Sequence, residues 1–192
     1  MEATYYFDPA CPFTWRTSRW LTAVAPERGV TIRWRAFSLL VLNGDNIPAQ
    51  YRGGVTASYR ALRLVEALRA DNRDDTVAAF YTVLGTRVHE DGAPLDDDLV
   101  NQAAEAAGVA DAKAILDDER WDDAVRESHE TALKLAGPGI GSPVLHVEGA
   151  VRGLHGPIID TVPRGEESTA MFDSVVTLMR TETFYEVKRG RG

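Results

Sequence analysis

The chain has 192 residues, enough for one substantial core. Its hydrophobic fraction of 44% and charged fraction of 26% are those of an ordinary globular protein. A formal charge of −8 without an offsetting basic run argues against a nucleic-acid partner. There is no apolar run of bilayer-spanning length and no signal-like N-terminal segment, so no membrane partner is expected. A single cysteine rules out an intramolecular disulfide and fits the reducing cytoplasm.

In chain order, Thr4 to Phe7 is β-branched and aromatic and predicts a short buried strand, ended by Asp8-Pro9. Pro12 suits the first position of a helix whose apolar residues run from Phe13 to Val24, stopping at Pro26 and Arg28-Gly29. Val30 to Phe37 alternates and predicts a second strand, completing a βαβ unit with a parallel pair. Ser38 to Gly54 reads as a long irregular connection. Helical patterns follow at Ser58–Ala70, Asp75–Val88, Asp96–Ala107, Ala114–Leu116 and Trp121–Leu135. After Gly137-Pro138-Gly139, Pro143–Val147 and Ala150–Leu154 read as a hairpin around Glu148-Gly149. Glu166–Met179 reads as a last helix, with Ala170, Met171, Val175, Leu178 and Met179 inward. The fold class is therefore α/β, with 55–136 a helical insertion between 1–54 and 137–192.

The only cysteine, Cys11, falls at the seam between the first strand and the first helix. Unpaired N–H groups and the helix dipole stabilise an anion there, so an exposed thiol of depressed pKa is expected, against the plain alternative of a buried small hydrophobe. Thr14 lies three residues on and faces it, either donating to the thiolate or bonding its own backbone. Phe13, Trp15 and Trp20 either line an apolar groove or belong to the core, Trp20 more readily the latter. Pro143, after Gly141-Ser142, opens a strand, where a trans proline is ordinarily allowed. His89, His129, His146 and His155 lack partners at ligand spacing, so no metal is expected; His155, before Gly156-Pro157, is a candidate to approach the thiol.

The segment Asp8-Pro9-Ala10-Cys11-Pro12-Phe13-Thr14-Trp15 resembles the active-site segment of DsbA-type thioredoxin-fold proteins. Ser18-Arg19-Trp20, Phe37-Ser38-Leu39, Gln50-Tyr51-Arg52, Gly141-Ser142-Pro143 and Pro163-Arg164-Gly165 are similar to the actinobacterial mycothiol-dependent nitroreductase family. The second cysteine of that family's pattern is Thr14 here. The resemblance implies a thioredoxin-like fold with a helical insertion, and a thiol-dependent oxidoreductase using mycothiol or a similar low-molecular-weight thiol. Cys11 is then the nucleophile and Thr14 its partner. Pro12, Phe13, Trp15, Ser142 and Pro143 bind the thiol, and the Ser142–Pro143 bond is cis. The substrate is a small molecule or a disulfide, and a homodimer is an open expectation. Loss of the second cysteine also fits a thiol-binding enzyme of the kappa-transferase or hydroxychromene-carboxylate-isomerase type, or a redox-inactive binding module.

Overall fold

The computed structural model describes residues 1–190. A four-stranded sheet carries the organisation. Strand β1 (Glu2–Phe7) is central, paired in parallel with β2 (Thr31–Ala36) and antiparallel with β3 (Val144–Val147); β4 (Leu154–His155) follows at the far edge, giving the order β2-β1-β3-β4. Helix α1 (Pro12–Val24) connects β1 to β2, and Gly29, in the left-handed conformation at φ +60°, turns the chain into β2. Because β1 is covered on both faces, it reads as a nearly continuous aromatic run rather than an alternating one. Tyr5 and Phe7 face one way, with Trp34 edge-on to both. Tyr6 faces the other way, in a small cluster with Phe37, Ala132 and Val144.

Helices α2 (Leu39–Asn43), α3 (Ala49–Ala70), α4 (Asp74–His89), α5 (Asp97–Ala106), α6 (Ala112–Leu116) and α7 (Asp122–Ala136) lie in the chain between β2 and β3, and α8 (Gly165–Arg180) closes the described fold. They also seal the open edge of β2. An edge strand leaves alternate N–H and C=O groups unpaired. Here the Trp34 N–H donates to Asp74 on α4 at 3.1 Å and the Ala36 N–H to Glu66 on α3 at 3.0 Å. The Ala36 carbonyl accepts from the Ser128 hydroxyl on α7 at 2.8 Å. Glu66 is fully buried and also receives the Arg69 guanidinium at 2.5 Å, which balances its charge. One hydrophobic cluster runs from β1 and β2 through α3, α4, α5 and α6, so the helical block and the sheet share a core.

Three expectations are corrected. The stretch from Ser38 to Gly54 is mostly helical: Ser38 caps α2 by accepting from the Val41 N–H at 3.1 Å, and α3 begins at Ala49. Gly53 and Gly54 read as loop formers in sequence but sit inside α3, because tertiary packing overrides their weak helix propensity. The expected second hairpin strand over Ala150–Leu154 shrinks to Leu154–His155, since the Gly153 N–H donates to the Leu135 carbonyl on α7 instead of a ladder partner. The inward face of α8 is Ser168, Phe172, Val176 and Met179, and Ala170 is exposed.

Two glycine-to-alanine substitutions have opposite expected signs. A Cβ at Gly85 on α4 would stand 2.2 Å from Cε3 of the Trp15 ring, which lies in the core with no room to retreat. Gly85→Ala is expected to cost about 1–3 kcal/mol and lower Tm by several degrees. Gly53 on α3 has nothing within 4 Å of that position. Gly53→Ala is expected to raise stability by roughly 0.5–1 kcal/mol through helix propensity. Thermal and denaturant unfolding of both variants checks the pair.

Candidate functional site

Cys11 is the N-cap residue of α1, in an extended conformation, with Pro12 at the first helical position. The turn leading into it is closed by the Cys11 N–H donating to the Asp8 carbonyl at 3.0 Å. The Asp8 carboxylate, fully buried, accepts from the Ala10 N–H at 2.8 Å, the Ser58 hydroxyl at 2.5 Å and the Leu39 N–H at 2.7 Å. One side chain thus holds the loop between β1 and α1, the start of α2 and the middle of α3. Below the helix start, the Tyr5 hydroxyl donates to the Thr14 carbonyl at 2.8 Å, anchoring the first turn of α1 to the sheet.

From the other half of the chain comes Ser142, joined to Pro143 by a cis peptide bond. Its carbonyl accepts from the Cys11 thiol at 3.6 Å, and its hydroxyl lies 2.8 Å from the Thr14 hydroxyl and accepts from the Asp8 N–H at 3.2 Å. The structure therefore brings Cys11, Thr14 and Ser142 together. Pro12 is exposed and Phe13 half-buried at the rim, with the Arg16 guanidinium 5.6 Å from the Phe13 ring centre.

Trp15 packs into the core, although it also forms part of the lining of a cleft beside α1. Its ring is 4% exposed, with the Arg19 guanidinium 4.1 Å from its centre and the His89 ring stacked at 6.0 Å. Its indole N–H donates to Glu90 at 3.2 Å. Trp20 is core, as expected. His155 is on β4. His89 reaches the thiol loop, its Nε2 lying 2.8 Å from the Pro9 carbonyl. A carbonyl only accepts, so Nε2 carries the proton. No local signal marks His89 in the sequence, because it lies at the end of α4, 80 residues from Pro9.

The expectation of an exposed, acidic thiol is overturned. Cys11 is 8% exposed, and burial pushes its pKa up. The Thr14 hydroxyl and the N–H groups of Thr14 and Phe13 pull the other way, as the helix start should, while the Asp8 carboxylate adds a further upward push. Both influences are present and desolvation is the larger. Alkylation of Cys11 against pH is accordingly expected to show a midpoint above that of free cysteine, about 8.5, and Thr14→Ala moves it higher still by removing a donor to the thiolate. A midpoint below the free-cysteine value would mean that the thiol is solvated in solution.

Several solved structures share this architecture. The cytosolic disulfide reductase DsbM from Pseudomonas aeruginosa superposes with a TM-score of 0.60 at 15% identity, covering 93% of this chain and 100% of that one. A 2-hydroxychromene-2-carboxylate isomerase superposes with a TM-score of 0.60 at 16% identity, covering 92% and 95%. At these identities the likeness establishes the thioredoxin-like fold. The uncharacterised protein Rv2286c of Mycobacterium tuberculosis is 30% identical over 191 residues, 96% of this chain and 80% of that protein. The family model described as mycothiol-dependent nitroreductase Rv2466c matches residues 10–189, nearly the whole chain with Cys11, Thr14 and Ser142 inside it, and the chain belongs to this Rv2466c-like family.

Proposed function

We propose that this protein is a cytoplasmic thiol-dependent oxidoreductase in which Cys11 alone carries the covalent chemistry and a low-molecular-weight thiol of the mycothiol kind is the co-substrate. The observation that carries the reading is the convergence of Ser142 and Thr14 on the single sulfur, one by its carbonyl and both through paired hydroxyls. The Asp8 N–H fills an acceptor site on the Ser142 hydroxyl, which leaves that hydroxyl free to donate to Thr14 and Thr14 to donate to sulfur. Such a chain polarises cooperatively and strengthens toward an anion at its end. The thiolate is thus supported at the moment it forms, although the resting thiol is protonated.

In the reaction, the Cys11 thiolate attacks one sulfur of a substrate disulfide. A bond forms between Cys11 and that sulfur as the substrate S–S bond breaks, and the second sulfur leaves as a thiolate that takes up the proton Cys11 released. A small thiolate then attacks the substrate sulfur of the mixed disulfide. Cys11 leaves as its thiolate, and the small thiol and the substrate sulfur depart joined. A second small thiolate then attacks the small-thiol sulfur of that released mixed disulfide and frees the substrate sulfur as a thiol. Two electrons thus pass to the substrate from two small thiols, which leave as their disulfide. Thr14 has no sulfur, so resolution comes from outside the chain.

A second reading, a thiol-binding transferase or isomerase that never forms the mixed disulfide, is favoured by one observation: the burial of Cys11, which pushes its thiol pKa up. Intact mass separates the two. After a pulse of oxidised small thiol, the wild type is expected to show a long-lived adduct on Cys11. Side chains three apart at a helix start are about 5–6 Å apart at Cβ, within reach of a disulfide after modest adjustment. Thr14→Cys should therefore expel the small thiol and shorten the adduct lifetime at least about tenfold. No adduct in the wild type would sink the oxidoreductase reading, and equal lifetimes would show that position 14 does not face the sulfur.

A further inference from the structure

A helical hydroxyl has a ready partner in the carbonyl four residues back along its own helix. Thr82, Thr131, Ser174 and Thr177 all use it. Thr17 on α1 does otherwise. It is fully buried, and its hydroxyl leaves the helix to donate to the Pro157 carbonyl at 2.6 Å. Thr14 lies one turn before it on the same face of α1 and meets the Ser142 hydroxyl. Two threonines on one helix face thus grip two points of the C-terminal half.

The second point bears on the first. The Gly156 N–H, next to Pro157, donates to the Pro143 carbonyl at 2.9 Å. Pro143 is bonded in turn to Ser142, whose carbonyl accepts from the Cys11 thiol at 3.6 Å. A path therefore runs from Thr17 through Pro157, Gly156, Pro143 and Ser142 to Cys11, and α1 closes it into a ring. Within that ring the Ser142 side chain is fixed by the Asp8 N–H and the Thr14 hydroxyl. Neither contact holds the Ser142 carbonyl. Its direction follows the peptide plane shared with Pro143, and the Pro143 carbonyl is tied to Gly156.

That direction matters to the sulfur. The Ser142 carbonyl accepts from the neutral thiol, and on ionisation it would present an oxygen lone pair to an anion. Held in place, it favours the protonated form. Drawn away, it would no longer oppose the Thr14 and Phe13 donors that support the thiolate.

We propose that Thr17 is a positioning residue, which by holding Pro157 keeps the Ser142 carbonyl against the Cys11 sulfur and thereby governs how much thiolate is available for reaction. The inference rests on the oxidoreductase reading for its use, and on the sulfur alone for its test.

Thr17→Val removes the donor and keeps the shape of the side chain, whereas Thr17→Ser keeps the donor. Two quantities are read in each variant: the pH midpoint of Cys11 alkylation by iodoacetamide, and amide hydrogen exchange at Gly156 relative to β1. In Thr17→Val the midpoint is expected to fall by about half a pH unit or more, a roughly threefold larger ionisation constant. Gly156 should exchange faster there while β1 is unchanged. Thr17→Ser is expected to match the wild type in both. A midpoint in Thr17→Val that equals or exceeds the wild-type value overturns the proposal, and so does unchanged exchange at Gly156. A shift in Thr17→Ser as large as that in Thr17→Val also overturns it, because the methyl group would then be responsible. Thr17→Ala lacks the donor with less bulk, and it decides the question in the same way if the valine variant does not fold. Alkylation needs no mixed disulfide. A wild type that forms no adduct with oxidised small thiol therefore ends the oxidoreductase reading, while the midpoints still judge Thr17.

Discussion

The Asp8 carboxylate is the constraint on which the site depends. Among the described residues it has no ion-pair partner; instead two backbone N–H groups and one hydroxyl satisfy it in a fully buried position. Burying a carboxylate without donors would be prohibitive, and burial does raise its pKa against the downward pull of those three donors. In exchange, three segments distant in sequence, the loop between β1 and α1, the start of α2 and the middle of α3, are fixed to one another at the mouth of the sheet. The backbone N–H of the same residue then orients Ser142 from the C-terminal half. Asp8 thereby sets the geometry of Cys11 through two routes, its own turn and the loop opposite.

The same residue illustrates the compromise at the sulfur. A helix start and a nearby hydroxyl are the usual means of making a thiol acidic. Here they operate inside a dry pocket beside a carboxylate, and the dry pocket prevails. The outcome is a thiol that rests protonated yet has every donor in place for its anion. A thiolate formed from a less acidic thiol is intrinsically more nucleophilic, so a small population of a strong nucleophile replaces a large population of a weak one.

Much of this was legible in the residues. Asp8-Pro9 and Pro12 marked the seam that places Cys11 at the cap of α1, and the βαβ pattern up to Ala36 marked the parallel pair. The cis bond before Pro143 was implied by the family pattern around Gly141-Ser142 and is present. What could not be read was whatever depends on contacts between distant segments. The depth of Cys11, the seal over Trp15 and the role of His89 all arise from α4 and the 142 loop closing on α1. Helical glycines at 53 and 54 and the one-position rotation of α8 were hidden for the same reason, since only packing decides which face is inward.

The bond from His89 to Pro9 has a consequence for how the protein responds to acid. The imidazole donates through Nε2–H, and that proton is present in both the neutral and the charged ring. Burial also holds the ring's own titration below the ordinary histidine range. The strut between α4 and the thiol loop is consequently indifferent to mild acidification. A histidine one hydrogen bond from the loop that bears Cys11 would normally be suspected of gating it. In this arrangement it acts as a pH-insensitive brace, leaving the sulfur's own proton as the quantity that acidity controls.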